Sequence, residues 1–231
     1  MFSFVYEPRY GDCKDFDNIK PSAILDMVQD VAVRHSDACG YGMYRLRDMG
    51  YAWLLNGIKL HIERPIKPME PIEVSTAIKD MKGLFSDRGC IIRQSGQVVA
   101  KTCAAWFLFD ARAGKPCRAP EEIASAYEYH DFGDEFFEFK KIKLMDAQKL
   151  YTVVVSNKDI DTNRHLNNQK SAELLMDALP FDYSFTDMTV LYKKAAYLGD
   201  QLDLCVSKLE DGYYVHLMAQ DGSVCVAGTF K

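Results

Sequence analysis

The chain has 231 residues, 48% of them hydrophobic and 26% charged, which is enough to bury one large core or two small ones and far from the composition of a disordered chain. A formal net charge of -5 and a pI near 5.6 remove any overall electrostatic ground for binding nucleic acid or an anionic membrane. The seven cysteines form no CxxC pair and no zinc-like Cys/His cluster, and an odd number leaves one unpaired, a pattern that reads as reduced thiols in a cytoplasm.

The opening MFSFVYEPRYGDCKD lacks the basic start and long apolar run of a signal or transit peptide, and no stretch approaches the roughly 18 apolar residues of a membrane span. Residues 22–37 place Ala23, Ile24, Met27, Val28, Val31 and Ala32 along one side of a predicted helix that starts at Ser22 after Pro21. Beyond a break at Gly40 and Gly42 the period changes to two: Ile58, Leu60 and Ile62 alternate with Lys59, His61 and Glu63, which predicts a strand. Strands at 72–80, 84–94 and 97–109 follow, the last two joined by a turn at Ser95-Gly96, and suggest an antiparallel meander. In residues 118–148, Pro120, Glu121, Glu122 and the cluster Asp131 to Lys143 break all periodicity. This segment reads as a linker between a unit of residues 1–117 and one of residues 149–231. A connection of about 30 residues is long for a loop, so short strand or helix pieces are expected inside it.

The second half repeats the order of the first: a strand at Tyr151 to Ser156, a helix from Asn167 to Ala178, then strands near 188–194, 201–208, 213–219 and 223–229. Gly96-Gln97-Val98-Val99-Ala100 lies over Gly222-Ser223-Val224-Cys225-Val226, and Met69-Glu70-Pro71-Ile72 over Gly199-Asp200-Gln201-Leu202. Each match is weak alone. Together with the shared order they point to two copies of one supersecondary unit, with chance likeness as the alternative.

The stretch richest in chemistry is Asp159 to Asn168, between a predicted strand and the second helix. Backbone N–H groups in the first turn of a helix have no internal partner, so polar side chains gathered there suit a developing negative charge. Asn163 and His165, two positions apart on a nonhelical lead-in, can face one cleft, and Asp161 can orient a neighbour. The same residue types also serve as plain caps and turn formers.

Asp161-x-Asn163-x-His165-x-Asn167-Asn168 resembles the D-x-N-x-H-x-N-N motif of the acyl-acyl carrier protein thioesterases of plants and bacteria. The resemblance covers nearly the whole chain, including the first helix, the Trp53 to Glu63 strand followed by Arg64-Pro65, Trp106 with Phe107, and Tyr197-Leu198-Gly199-Asp200. It implies an α+β fold of two hotdog modules in tandem, each a curved antiparallel sheet wrapped around a central helix. It also implies hydrolysis of the fatty acyl thioester on acyl carrier protein, which releases free fatty acid and ends chain elongation. Asp161, Asn163 and His165 become the catalytic group. The family's glutamate, four positions before the glycine of the Gly-Asp pair, falls on Ala195, and no residue from Leu191 to Tyr197 is acidic. The acyl pocket is expected in the first module, with Met27, Val28, Val31, Trp53 and Leu55 as candidate walls. Acyl carrier protein is acidic and its linker carries a phosphate, so Lys193 and Lys194 are the first candidates for its docking, ahead of Lys140, Lys141 and Lys143 and of Arg112, Lys115 and Arg118. No metal or organic cofactor is implied. A coenzyme A thioesterase of the same fold and a noncatalytic acyl-thioester binder are the alternatives, and monomer and homodimer both fit.

Overall fold

The computed structural model describes residues 1–231, apart from the side chain of residue 135. Its contacts divide the chain into two compact units, Met1–Phe139 and Lys140–Lys231.

The first unit contains β1 (Phe2–Tyr6), α1 (Pro21–Ala38), α2 (Met43–Met49), β2 (Tyr51–Ile62), β3 (Ile72–Lys82), β4 (Phe85–Gln94), β5 (Gln97–Asp110), β6 (Lys115–Cys117) and α3 (Glu121–Ala124). Its strands pair antiparallel in the order β1-β3-β4-β5-β2, with β6 on the end of β5. Proline at the first position of α1 fixes φ where no N–H is needed, and the apolar stripe buries Ile24, Met27, Val28 and Val31. Met27, Val28 and Val31 are therefore core residues of the unit.

α1 packs against β1 and β3, and His35 in its last turn accepts a 2.8 Å hydrogen bond from Arg88 of β4 through Nδ1. That bond marks the helix-facing side of the sheet. Opposite residues in an antiparallel pair share a face, so Ile78, Arg88, Ala104 and Ile58 form one layer across β3, β4, β5 and β2. A bulge between Leu55 and Gly57 keeps Trp53 and Leu55 on that side too, opposite Leu108 and Trp106.

The unit extends past the predicted boundary because the chain after α3 is strapped to it. His130 N–H donates to Ile78 O at 2.8 Å, and Phe132 covers Gly89, stacking on the buried Phe137 with ring centroids 4.3 Å apart. A Cβ on Gly89 would lie 2.5 Å from the Phe132 ring. Gly89→Ala is accordingly expected to lower stability by about 1 to 3 kcal/mol in urea titration.

The second unit contains β7 (Gln148–Val154), α4 (Asn168–Met176), β8 (Asp187–Tyr192), β9 (Gln201–Leu209), β10 (Gly212–Ala219) and β11 (Val224–Phe230). Its antiparallel order, β7-β9-β10-β11-β8, is the order of the first unit with each strand replaced by its counterpart. α4 packs on β10 and β11, where the absence of a side chain at Gly228 admits the fully buried Leu175. The two segment matches read from the sequence hold at backbone level. Gly96 and Gly222 turn with φ of 78° and 79°, and Met69 and Gly199 both take left-handed conformations, at 60° and 88°. Repetition here is structural, not chance.

β1 and α2 were not expected. β1 is five residues long and owes its place to pairing with β3, while α2 has one buried side chain, Leu46, so neither writes a strong period into the sequence.

Candidate active site

The chemistry-rich stretch forms a closed loop ahead of α4. An isolated antiparallel bridge between Ile160 and Leu166 pins its ends. Within it the Asp161 carboxylate accepts from the backbone N–H groups of Asn163 at 2.8 Å and His165 at 3.1 Å, while Asp161 N–H donates to His165 O at 2.9 Å. Asp161 thus shapes the loop through its backbone and does not hold the imidazole ring. Arg164, with φ of 63°, sits in the left-handed region that lets the loop reverse between Asn163 and His165. Asn163 is exposed and His165 half-buried, which leaves both side chains accessible to a substrate.

Asn167 caps α4. Its side-chain oxygen accepts from Gln169 N–H at 2.8 Å and Lys170 N–H at 3.2 Å. These helix-start amides were expected to be available for an oxyanion, and the cap occupies them. The sequence signal for this was present, since asparagine is among the strongest cap residues. Asn167→Ala is expected to lower stability by about 1 kcal/mol, measured as a shift in the urea midpoint at constant m-value.

The end of β8 and the segment after it brace this loop and the start of α4. Tyr192 OH donates to Asn168 O at 3.0 Å, and Leu166 N–H donates to Ala196 O at 2.8 Å. The Tyr197 ring meets the His165 ring edge to face, with centroids 5.1 Å apart and planes at 82°. Ala195 is exposed, and among the described residues no carboxylate comes within hydrogen-bonding distance of the His165 ring. In the sequence Tyr192 is only a non-acidic neighbour of Ala195, and Tyr197 in addition opens the Tyr197-Leu198-Gly199-Asp200 segment of the family resemblance. Their roles depend on how the strand end turns back onto the loop.

Lys193 and Lys194 are both exposed. Lys194 donates to Asp221 at 2.5 Å and to Ser223 at 2.8 Å, so its charge is partly neutralised, whereas Lys193 has no ion pair among the described residues. In the first unit, Met27, Val28 and Val31 of α1 and Leu55 of β2 are buried, and Trp53 borders a cavity of about 410 Å³ whose other walls include Met81, Phe85, Ser86, Arg118 and Tyr129. Among the described residues no group of three or more His, Cys, Asp or Glu side chains is placed to hold a metal. Among the described residues no helix is long and apolar enough to cross a membrane.

The profile of the acyl-ACP thioesterase N-terminal domain matches residues 1–127, and that of the C-terminal domain matches residues 142–227. The chain belongs to the acyl-ACP thioesterase family. Family membership makes it a thioester hydrolase acting on fatty acyl groups carried by acyl carrier protein (ACP). Among solved structures it is similar to an acyl-ACP thioesterase from Bacteroides thetaiotaomicron VPI-5482, with a TM-score of 0.91 and 17% identity over 99% of this chain and 96% of the other. It is also similar to the 12:0-ACP thioesterase from Umbellularia californica, with a TM-score of 0.86 and 16% identity over 100% of this chain and 96% of the other. At these identities the likeness establishes the fold, the tandem hotdog expected from the sequence. No curated protein matches the chain.

Proposed function

We propose that Asp161, Asn163 and His165 carry out this hydrolysis in the second unit and that the first unit receives the acyl chain. The carrying observation is the accessible His165 ring on a loop whose shape is set by the Asp161 carboxylate. His165 removes a proton from water as its oxygen attacks the thioester carbonyl carbon. The tetrahedral intermediate then collapses, the C–S bond breaks, and the pantetheine thiolate leaves and takes a proton, from the histidinium or from solvent. Asn163 holds the carbonyl oxygen or the attacking water. Thiolate is a good leaving group, so little acid assistance is required, and the chemistry tolerates alanine at position 195 better than amide hydrolysis would.

Met27, Val28, Val31, Trp53 and Leu55 supply apolar contact along the helix-facing side of the first unit. Lys193 is the first candidate for the acidic carrier, and Lys194 contributes once its pairing with Asp221 is exchanged for the linker phosphate. The protein works in the cytoplasm, as its reduced cysteines suggest, as a monomer or homodimer.

The test is release of free thiol from a panel of ACP thioesters, with the same acyl groups supplied on coenzyme A. Turnover that strongly favours the carrier protein supports this reading, and equal or better turnover on coenzyme A replaces it with a coenzyme A thioesterase. Ala195 favours one further reading, a noncatalytic acyl-thioester binder. Saturable binding with no thiol release at any chain length would establish that reading and end the catalytic one.

A further inference from the structure

We infer that Tyr197 is a positioning residue for His165, supplying by ring contact the orientation that a strand carboxylate at position 195 would supply by a hydrogen bond. The inference rests on the reading of His165 as the general base. Three local features hold the two rings together. The residue after His165 is tied to the residue before Tyr197, because Leu166 N–H donates to Ala196 O at 2.8 Å. Tyr197 N–H is held by the Asp200 carboxylate at 2.8 Å, and Asp200 N–H returns a bond to Tyr197 O at 3.0 Å. Gly199, at φ 88°, permits that tight turn, and its own N–H is anchored on Val155 O at 2.9 Å. The Tyr197 backbone is therefore fixed although the residue is 52% exposed.

The ring geometry, 5.1 Å and 82°, lies in the edge-to-face range that aromatic pairs prefer. No hydrogen bond engages the Tyr197 hydroxyl among the described residues, and the His165 ring has no other aromatic neighbour. The ring carries the effect and the hydroxyl does not. A general base is effective only when its lone pair is aimed at the proton it removes, so a ring that limits imidazole rotation raises kcat while leaving substrate affinity alone.

The test compares wild type with Tyr197→Phe and Tyr197→Ala, using steady-state hydrolysis of a preferred thioester and the NMR signals of the His165 ring protons. Tyr197→Ala is expected to lower kcat by roughly 3- to 10-fold with KM unchanged and to shift the His165 ring signals. Tyr197→Phe should keep both wild-type values. Wild-type kcat and unmoved signals in Tyr197→Ala would overturn the inference, as would a Tyr197→Phe variant as impaired as Tyr197→Ala. If the wild type hydrolyses no thioester, the catalytic reading fails by itself, and the ring signals still decide whether Tyr197 holds His165. Side-chain exposure at position 197 makes misfolding a remote outcome, and thermal melting of both variants checks it.

Discussion

Replacing His165 with alanine is expected to lower kcat for thioester hydrolysis by roughly 100- to 10,000-fold while leaving the melting temperature nearly unchanged, since the ring is half-buried and makes no hydrogen bond that supports the loop. Asp161 calls for a different outcome. Its carboxylate accepts from two backbone N–H groups, so Asp161→Ala removes the acceptor that shapes the loop and should lose stability together with activity. Asp161→Asn keeps an oxygen in the same place and should retain most of the rate. If Asp161→Asn is instead as inactive as His165→Ala, with the fold intact, the aspartate acts through its charge on the reacting groups and not through the backbone. Ala195→Glu is the complementary experiment. A gain in kcat would show that the missing carboxylate limits the present rate, and no gain would show that the bracket built from Tyr197 already orients the base.

Acid sensitivity is the second large effect, and two groups, the buried His35 and the partly buried Asp87, set it with opposite sign. His35 is held at about 4, below its ordinary 6.5, first because burial disfavours its cation and then because the Arg88 guanidinium repels it. In the window from pH 6.5 down to about 4 the unfolded chain takes up a proton at this site that the folded chain refuses. Stability is therefore lost as pH falls, by on the order of 3 kcal/mol. Asp87 is raised to about 6, first by burial and then by the neighbouring Asp80. Here the folded state binds the proton first, so stability is gained between about pH 6 and 3.8, by on the order of 1 to 2 kcal/mol for this partly exposed group. The two contributions partly cancel in the wild type. Asp87→Asn should be more stable than wild type at pH 7.5 and lose stability more steeply toward pH 4, whereas His35→Gln should flatten the acid loss. Urea unfolding of the three proteins at pH 7.5, 6, 5 and 4 reads both effects, and parallel profiles would refute the assignment.

Much of the fold was legible because it follows from local periodicity. The spacing of Ile24, Met27, Val28 and Val31 is a helix's whatever surrounds it, and the alternation from Ile58 to Glu63 is a strand's. Both elements formed where expected, as Pro21–Ala38 and within Tyr51–Ile62. The internal repeat was legible for a similar reason, since a left-handed turn needs particular residues and leaves its mark at Gly96 and Gly222 alike. The motif from Asp161 to Asn168 was likewise visible in one dimension, because all of its members lie on one loop.

What the sequence left open depended on contacts between residues far apart in the chain. The strand Phe2–Tyr6 exists only because β3 offers it an edge, and the first unit reaches Phe139 because Phe132 has a glycine, Gly89, to lie on. The same holds within the site. An alanine at position 195 signals only a missing carboxylate, and nothing in the one-dimensional pattern says that the turn at Gly199 brings the Tyr197 ring to His165. Cap and motif could be read from the sequence because the hydrogen bond that Gln169 N–H donates to the Asn167 side chain spans two residues. The contact between His165 and Tyr197 spans 32 residues and required the folded second unit, where strand pairing and side-chain packing fix which distant groups meet.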